Sequence, residues 1–258
     1  MEDNRLYTTQ RRNEILKILK EQGSISVNQL AEQFQVSGTT IRLDLTALEK
    51  TGLISRTHGG AILNTFVERE PLIQERENHA EKERIAQKAV SLIQENDTIL
   101  IDTGTTMHAL ANALAASAIT RLRVYSNDLD VLRILEEKEY FELHLMGGVI
   151  RNGFHYTAGN QVIAELSNYH FEKMFLATSA ISLKSGLTTA NSDLAAMKSA
   201  MIAASQQVIL LTDSSKMHHV LFQRFADLNA VDTLITDSGL AEEDAAALGE
   251  IVGELVIV

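Results

Sequence analysis

Thr98-Ile99-Leu100-Ile101-Asp102-Thr103-Gly104-Thr105-Thr106 decides how most of this chain is built. Its first half is a short apolar run ending in a charge, which predicts a buried strand over Thr98–Asp102. Its second half is a Gly/Thr turn that opens a helical segment over 106–116. A strand, a small-residue turn and a helix start present backbone N–H groups and hydroxyls, and the helix dipole there favours an anion. Taken alone, such a turn also serves as an ordinary helix start.

The same rhythm continues on both sides of it. Helical segments at 81–94, 129–138, 159–169, 191–205 and 241–249 alternate with apolar runs at Leu122–Ser126, Phe141–Met146, Met174–Thr178, Val208–Thr212, Thr233–Thr236 and Leu255–Val258. Alternation of this kind predicts an α/β domain over 81–258, with a parallel or mixed sheet covered by helices on both faces. Ligands of open α/β sheets gather at the carboxyl ends of strands. Polar residues stand at several such ends: Asp102 with Gly104, Thr105 and Thr106; Ser126 with Asn127; Gly147 with Gly148; and Asp213 with Lys216. Together they favour a phosphorylated ligand, with the lysine as its counter-charge.

The first sixty residues have another rhythm. Gln10–Gln22 carries Ile15, Leu16 and Leu19 at helical spacing, and Gly23 ends it. Ser26 with Gln29 makes a capping box ahead of Leu30 and Phe34, and Ser37 opens a helix over 38–50 that lines up Ile41, Leu45 and Leu48 before Gly52. Leu53–Arg56, a Thr57–Gly60 turn and Ala61–Leu63 predict a small hairpin. Two helices joined by a tight turn and followed by a hairpin make a winged helix-turn-helix over 1–63, with 64–80 as a linker. In that arrangement Thr39, Thr40, Arg42 and Thr46 face base edges or phosphates in the major groove, Ser37 suits a phosphate, and Arg56 and His58 reach from the hairpin. A winged helix that binds only protein is the alternative.

The 258 residues are 45% hydrophobic and 22% charged, with one proline and neither cysteine nor tryptophan. That composition excludes a disulfide scaffold, a thiolate metal site and a cysteine nucleophile. The net charge of −11 is unevenly spread, with residues 1–60 near +1 and the remainder near −12. A near-neutral head therefore precedes an acidic body, and that acidity also serves solubility. With no apolar run long enough for a membrane span and no secretory leader at Met1–Arg5, a soluble cytoplasmic protein is expected.

Gln10-Arg11-Arg12, Gly23–Val27, Leu30-Ala31, Val36-Ser37, Thr40–Leu45, Leu48-Glu49 and Arg56–Ala61 resemble the signature of the DeoR family of bacterial repressors. Leu43 stands where that family usually has a second basic residue, which implies an altered operator. The resemblance extends through Asp102–Thr106, Ser126-Asn127, Gly147-Gly148, Gly159, Lys198 and Thr212–Lys216, so that it covers nearly the whole chain. It implies a sensor domain similar in fold to ribose-5-phosphate isomerase that binds a phosphorylated sugar, with Lys198 among the effector residues. Ala177–Ala180, Ser192-Asp193 and Met217 depart from the family's pattern near the sugar end.

The expected function is a DNA-binding transcriptional regulator, a repressor of a carbohydrate-use operon, controlled by a phosphorylated sugar and acting as a homo-oligomer. The other reading is a sugar-phosphate isomerase or deaminase carrying a DNA-binding head. No cofactor and no metal site are expected: His218 and His219 are adjacent without a carboxylate at ligand spacing, and His144 lies in an apolar strand. His155, beside Tyr156 in a Gly-containing loop, is a lesser ligand candidate. Glu81–Arg84 reads as a solvated helix start.

Overall fold

A computed structural model of the protein describes residues 8–22, 24–49, 54–57, 59–63, 78–151 and 153–258. The chain divides into two compact units, Met1–Arg69 and Glu70–Val258. Each has its own core.

The first unit runs α1 (Thr8–Gln22), β1 (Ser24–Ser26), α2 (Val27–Gln33), α3 (Gly38–Glu49), β2 (Ile54–Arg56) and β3 (Gly60–Leu63). Ile41, Asp44, Leu45 and Leu48 form the buried stripe of α3, three or four residues apart as an amphipathic helix requires. They pack with Ile15, Leu19 and Leu30. Ser26 caps α2 in a full capping box with Gln29. The expected hairpin is instead a three-stranded sheet in the order β1-β3-β2. β1 joins it because Gly60 has no side chain: a Cβ there would lie 2.1 Å from the carbonyl oxygen of Ile25. Gly23, Gly52 and His58, expected as helix stops and a wing contact, lie outside the described residues.

The second unit is built on a seven-stranded sheet of β4 (Thr98–Ile101), β5 (Leu122–Ser126), β6 (Phe141–Leu145), β9 (Phe171–Ala177), β12 (Ser205–Leu211), β14 (Thr233–Thr236) and β15 (Glu254–Ile257). Every pairing in it is parallel. Around the sheet lie α4 (His79–Val90), α5 (Thr105–Ala115), α6 (Leu129–Leu135), α7 (Asn160–Leu166), α8 (Ser192–Ala203) and α9 (Glu242–Gly249). Alternate strand residues feed two cores. Leu100, Met174, Leu176, Leu210 and Leu234 enter one, and Ile99, Ile101, Phe175, Ile209 and Ile235 the other. Burial on both faces is why these strands read as unbroken apolar runs.

The remaining strands escaped the sequence pattern. β7 (Val149–Arg151) pairs with β8 (Tyr156–Ala158), and β10 (Ala180–Ser182), β11 (Gly186–Thr189) and β13 (Gln223–Ala226) form a second small sheet. They are three or four residues long, too short to show a period. α4 begins at His79, inside the segment expected to be linker, and residues 64–77 of that segment lie outside those described.

Strand order is what places the site. The large sheet reads β15-β14-β12-β9-β4-β5-β6. From β4 the chain winds outward to β5 and β6, then returns to β9 on the other flank. The reversal leaves a crevice at the carboxyl ends of β4 and β9, the position where ligands bind in sheets of this kind.

Candidate functional site

In the first unit, α3 is fixed by a buried carboxylate. Asp44 is 1% exposed and accepts hydrogen bonds from Arg11 Nε at 2.7 Å and Arg12 Nε at 2.8 Å, tying α3 to α1. Ser37 caps the helix, its Oγ accepting from the Thr40 amide at 3.1 Å and lying 2.9 Å from Thr40 Oγ1. Thr39 and Arg42 are exposed on the first turns. The Arg42 guanidinium folds back over the helix start, since a Cβ on Gly38 would stand 3.4 Å from its Nη1. Thr46 is half-buried and accepts a hydrogen bond from Arg56 Nη1 at 2.9 Å, while its hydroxyl donates to the Arg42 carbonyl. Thr46 and Arg56 therefore brace β2 against α3, with Arg56 still exposed. Leu43 is 65% exposed on the same helix, an apolar side chain facing outward among polar ones.

In the second unit, Asp102 closes β4 at the crevice and is fully buried. Its Oδ2 accepts from the Ala177 amide at 3.0 Å and pairs with the Lys198 ammonium, which also donates to the Ala177 carbonyl at 3.0 Å. Lys198, on α8, thus straps the ends of β4 and β9 together. Asp102 Oδ1, Asn127 Oδ1, Thr189 Oγ1 and Asp213 Oδ2 are buried without a hydrogen-bond partner among the described residues. Buried polar oxygens are nearly always satisfied, so four left open at strand ends leave room for donors from ordered water or a ligand. Asp213 Oδ2 lies 3.9 Å from Lys216 Nζ, and Asp213 Oδ1 accepts from Asn78 Nδ2 at 2.9 Å.

Gly104 (φ 124°) makes the turn into α5. Its amide donates to Asp128 Oδ2 at 3.3 Å, so this N–H of the expected anion nest faces a carboxylate. The Thr105 and Thr106 amides lie in the first turn of α5, where no helix carbonyl reaches them. Asp128 is fully buried. Burial pushes its carboxyl up, but hydrogen bonds from His108 and Thr103, the His108 charge and the Val131 amide outweigh this and hold it below the usual carboxylate range. Asp237 behaves alike: partial burial opposes, and the Ser214 and Gly239 amides prevail to lower its pKa.

The other predicted residues also make framework contacts. Ser126 Oγ accepts from the Asp128 amide, and Asn127 Nδ2 donates to the Thr157 carbonyl at 3.0 Å, which fastens β5 to β8. Gly148 packs so closely that a Cβ would meet the Ala158 carbonyl at 2.7 Å, and the Gly147 amide donates to Glu165 Oε2.

Between α4 and α5 lies a cavity of about 420 Å³, whose walls include His79, Lys82, Gln87, Thr105, His108 and Asn112. This is the size of a small-ligand pocket. Lys82 is only 4% exposed, which corrects the expectation of a solvated helix start at that residue, whereas Glu83 and Arg84 are exposed as expected. A lysine among three charged neighbours reads as surface in sequence, and only the packing of α4 on α5 turns it inward. Its position three residues into α4, with Ile85, Ala86 and Ala89 on the buried face, is the periodic signal that could have revealed it.

Residues 11–67 match the family description "DeoR-like helix-turn-helix domain", and residues 77–238 match "DeoR C terminal sensor domain". The chain is 36% identical over 234 residues to the HTH-type transcriptional repressor GlcR of Bacillus subtilis (strain 168), covering 90% of this chain and 89% of that protein. It is likewise 36% identical over 234 residues to a lactose phosphotransferase system repressor of Streptococcus mutans, covering 88% and 91%. Among solved structures, ribose 5-phosphate isomerase A of Neisseria gonorrhoeae aligns over 54% of each chain with a TM-score of 0.40 and 19% identity.

Proposed function

The chain belongs to the DeoR family of transcriptional regulators, and from that premise we propose that it represses a carbohydrate-use operon under the control of a phosphorylated sugar. The observation that carries the effector half is the junction of the Gly104 turn with the α4–α5 cavity. Thr105 belongs to both, and the buried Lys82 stands in the same wall. The Thr105 and Thr106 amides hold the phosphate, and Lys82 supplies the charge with Lys216 beside Asp213. Asp102 and Asp213 accept hydrogen bonds from the sugar hydroxyls on their open oxygens. Each phosphate contact is charge-assisted, the stronger class of hydrogen bond.

In the DNA half, Thr39 and Arg42 reach base edges from α3, with Ser37, Thr40, Thr46 and Arg56 setting the helix start and the wing. One such head reads few base pairs, so the working form is a homo-oligomer that pairs two heads on repeated half-sites. The protein acts in the cytoplasm, where operator and effector meet. The effector can change DNA affinity only by the difference in its own affinity for the two conformations.

A thermal-shift panel of free and phosphorylated sugars tests the effector half. A phosphorylated sugar at a hundred times its Kd stabilises the protein by about 2.7 kcal/mol. Stabilisation by free sugars alone would overturn the reading. The buried Asp102–Lys198 pair at the crevice keeps the isomerase reading in play, and turnover of ribose 5-phosphate by the pure protein decides it.

A further inference from the structure

Three segments distant in sequence bring two histidines and two aspartates together beside the Gly104 turn. His108 is on α5, Asp128 and Asp130 open α6, and His155 lies between β7 and β8. His108 Nε2 is 3.0 Å from Asp128 Oδ2, and His155 Nδ1 is 2.8 Å from Asp130 Oδ2. One ligand atom from each of His108, Asp128 and Asp130 lies within 4.8 Å of the other two. Two donors about 2.1 Å from one tetrahedral ion stand about 3.4 Å apart. His108 and Asp128 need to separate by only a few tenths of an ångström to share one ion.

We propose that His108, Asp128 and Asp130 bind one divalent transition-metal ion of the zinc class, with His155 holding the Asp130 carboxylate from outside. One imidazole nitrogen with two carboxylate oxygens suits such an ion, with water completing its shell, whereas magnesium prefers oxygen donors and several retained waters. The outer contacts support the ligands. Thr103 Oγ1 donates to Asp128 Oδ2 at 2.7 Å, and the Asp130 and Val131 amides donate to its Oδ1 at 2.9 and 3.2 Å, which fixes the carboxylate. The Leu129 amide donates to the His155 carbonyl at 2.9 Å and anchors that loop to the aspartates. Arg133 Nε, 3.6 Å from Asp130 Oδ1, belongs to a side chain 73% exposed that can turn to solvent when the ion enters.

The His108 imidazole binds through Nε2, and a proton held there moves to Nδ1 or to water as the metal takes its place. His108 also lines the α4–α5 cavity, so the open side of the ion faces the space assigned to the phosphate, where it adds counter-charge. That last step rests on the effector reading. The ion site itself does not.

The test is calorimetric titration of ZnCl2 into EDTA-stripped, dialysed full-length protein, with MgCl2 in parallel. The expected result is one zinc per chain at micromolar Kd or tighter and no magnesium binding in that range. His108→Ala and Asp130→Ala should each weaken zinc at least tenfold, while each apo variant still unfolds in one cooperative transition. His218→Ala, which removes the His218–Asp244 pair elsewhere on the surface, should leave zinc binding unchanged. Absence of a stoichiometric site, or equal loss in His218→Ala, overturns the proposal. So does wild-type affinity in both His108→Ala and Asp130→Ala. No sugar is present, so failure here leaves the effector reading standing, and a missing response to phosphorylated sugars leaves the ion site standing.

Discussion

Replacing Lys198 with methionine keeps the length of the side chain and removes its charge. In the wild type that ammonium and the Asp102 carboxylate are 3% and 0% exposed. The pair contributes little by itself, because the desolvation of two charges offsets most of their attraction. Breaking it is another matter. Lys198→Met leaves Asp102 buried, with the Ala177 amide at 3.0 Å as its remaining donor among the described residues. Removing one partner of a buried pair costs about 3–5 kcal/mol. In a domain of this size each kcal/mol lowers Tm by about 2–4 °C, so the Glu70–Val258 unit should melt roughly 6–20 °C lower. Asp102→Asn combined with Lys198→Met removes both charges and should recover most of the loss, a coupling of at least about 2 kcal/mol in the double-mutant cycle. Differential scanning calorimetry of the four proteins measures it. If Lys198→Met lowers Tm by less than about 2 °C, or the double variant is as unstable as the sum of the singles, the strap between β4 and β9 is wrongly assigned.

Gly60→Ala drives a methyl into the Ile25 carbonyl, and overpacking against rigid backbone should cost about 1–3 kcal/mol or more and weaken duplex binding; wild-type stability and binding in thermal-melt and gel-shift assays refute the close approach. Arg42→Ala should cost about 1–3 kcal/mol and relax base preference at one operator position, whereas an equal loss on every sequence makes Arg42 a phosphate contact. Asp128 has a lowered pKa in the folded state, so it stabilises fully above the ordinary carboxylate value of about 3.9 and loses that contribution as pH falls through the folded value. Asp128→Asn should therefore lower the urea midpoint at pH 7 and flatten its decline between about pH 4 and 2; an unchanged acid slope contradicts the assignment.

The large sheet and the reading helix were legible because each depends on a local pattern. Ile99 and Ile101 alternate with Leu100 inside a short apolar run, and Ile41, Leu45 and Leu48 repeat at helical spacing. The Asp102–Thr106 turn was legible as a strand end followed by a helix start. What stayed hidden depends on partners far along the chain. Asp44 looks like a surface acid on α3 until Arg11 and Arg12 close on it from α1. Lys82 becomes part of a cavity wall only when α4 packs on α5. Lys198 meets Asp102 from 96 residues away, and no spacing rule connects them. His155 approaches Asp130 through a two-stranded turn too short to leave a period. Contacts between neighbours in sequence leave a pattern in the chain, whereas contacts made by the fold do not.

The central claim is that a phosphorylated sugar seated at Thr105 and Lys82 releases the operator. Its most direct measurement is fluorescence anisotropy of a labelled operator duplex held by the full-length protein, titrated with the phosphorylated sugar that gives the largest thermal shift. The account predicts release by the phosphorylated form, none by the free sugar, and full operator affinity in Lys82→Gln without ligand. Lys82→Gln should lose about 1.5–3 kcal/mol of effector affinity, which moves its release curve roughly 10- to 150-fold higher in concentration. Release of Lys82→Gln at the wild-type concentration, or equal release by the free sugar, would contradict it.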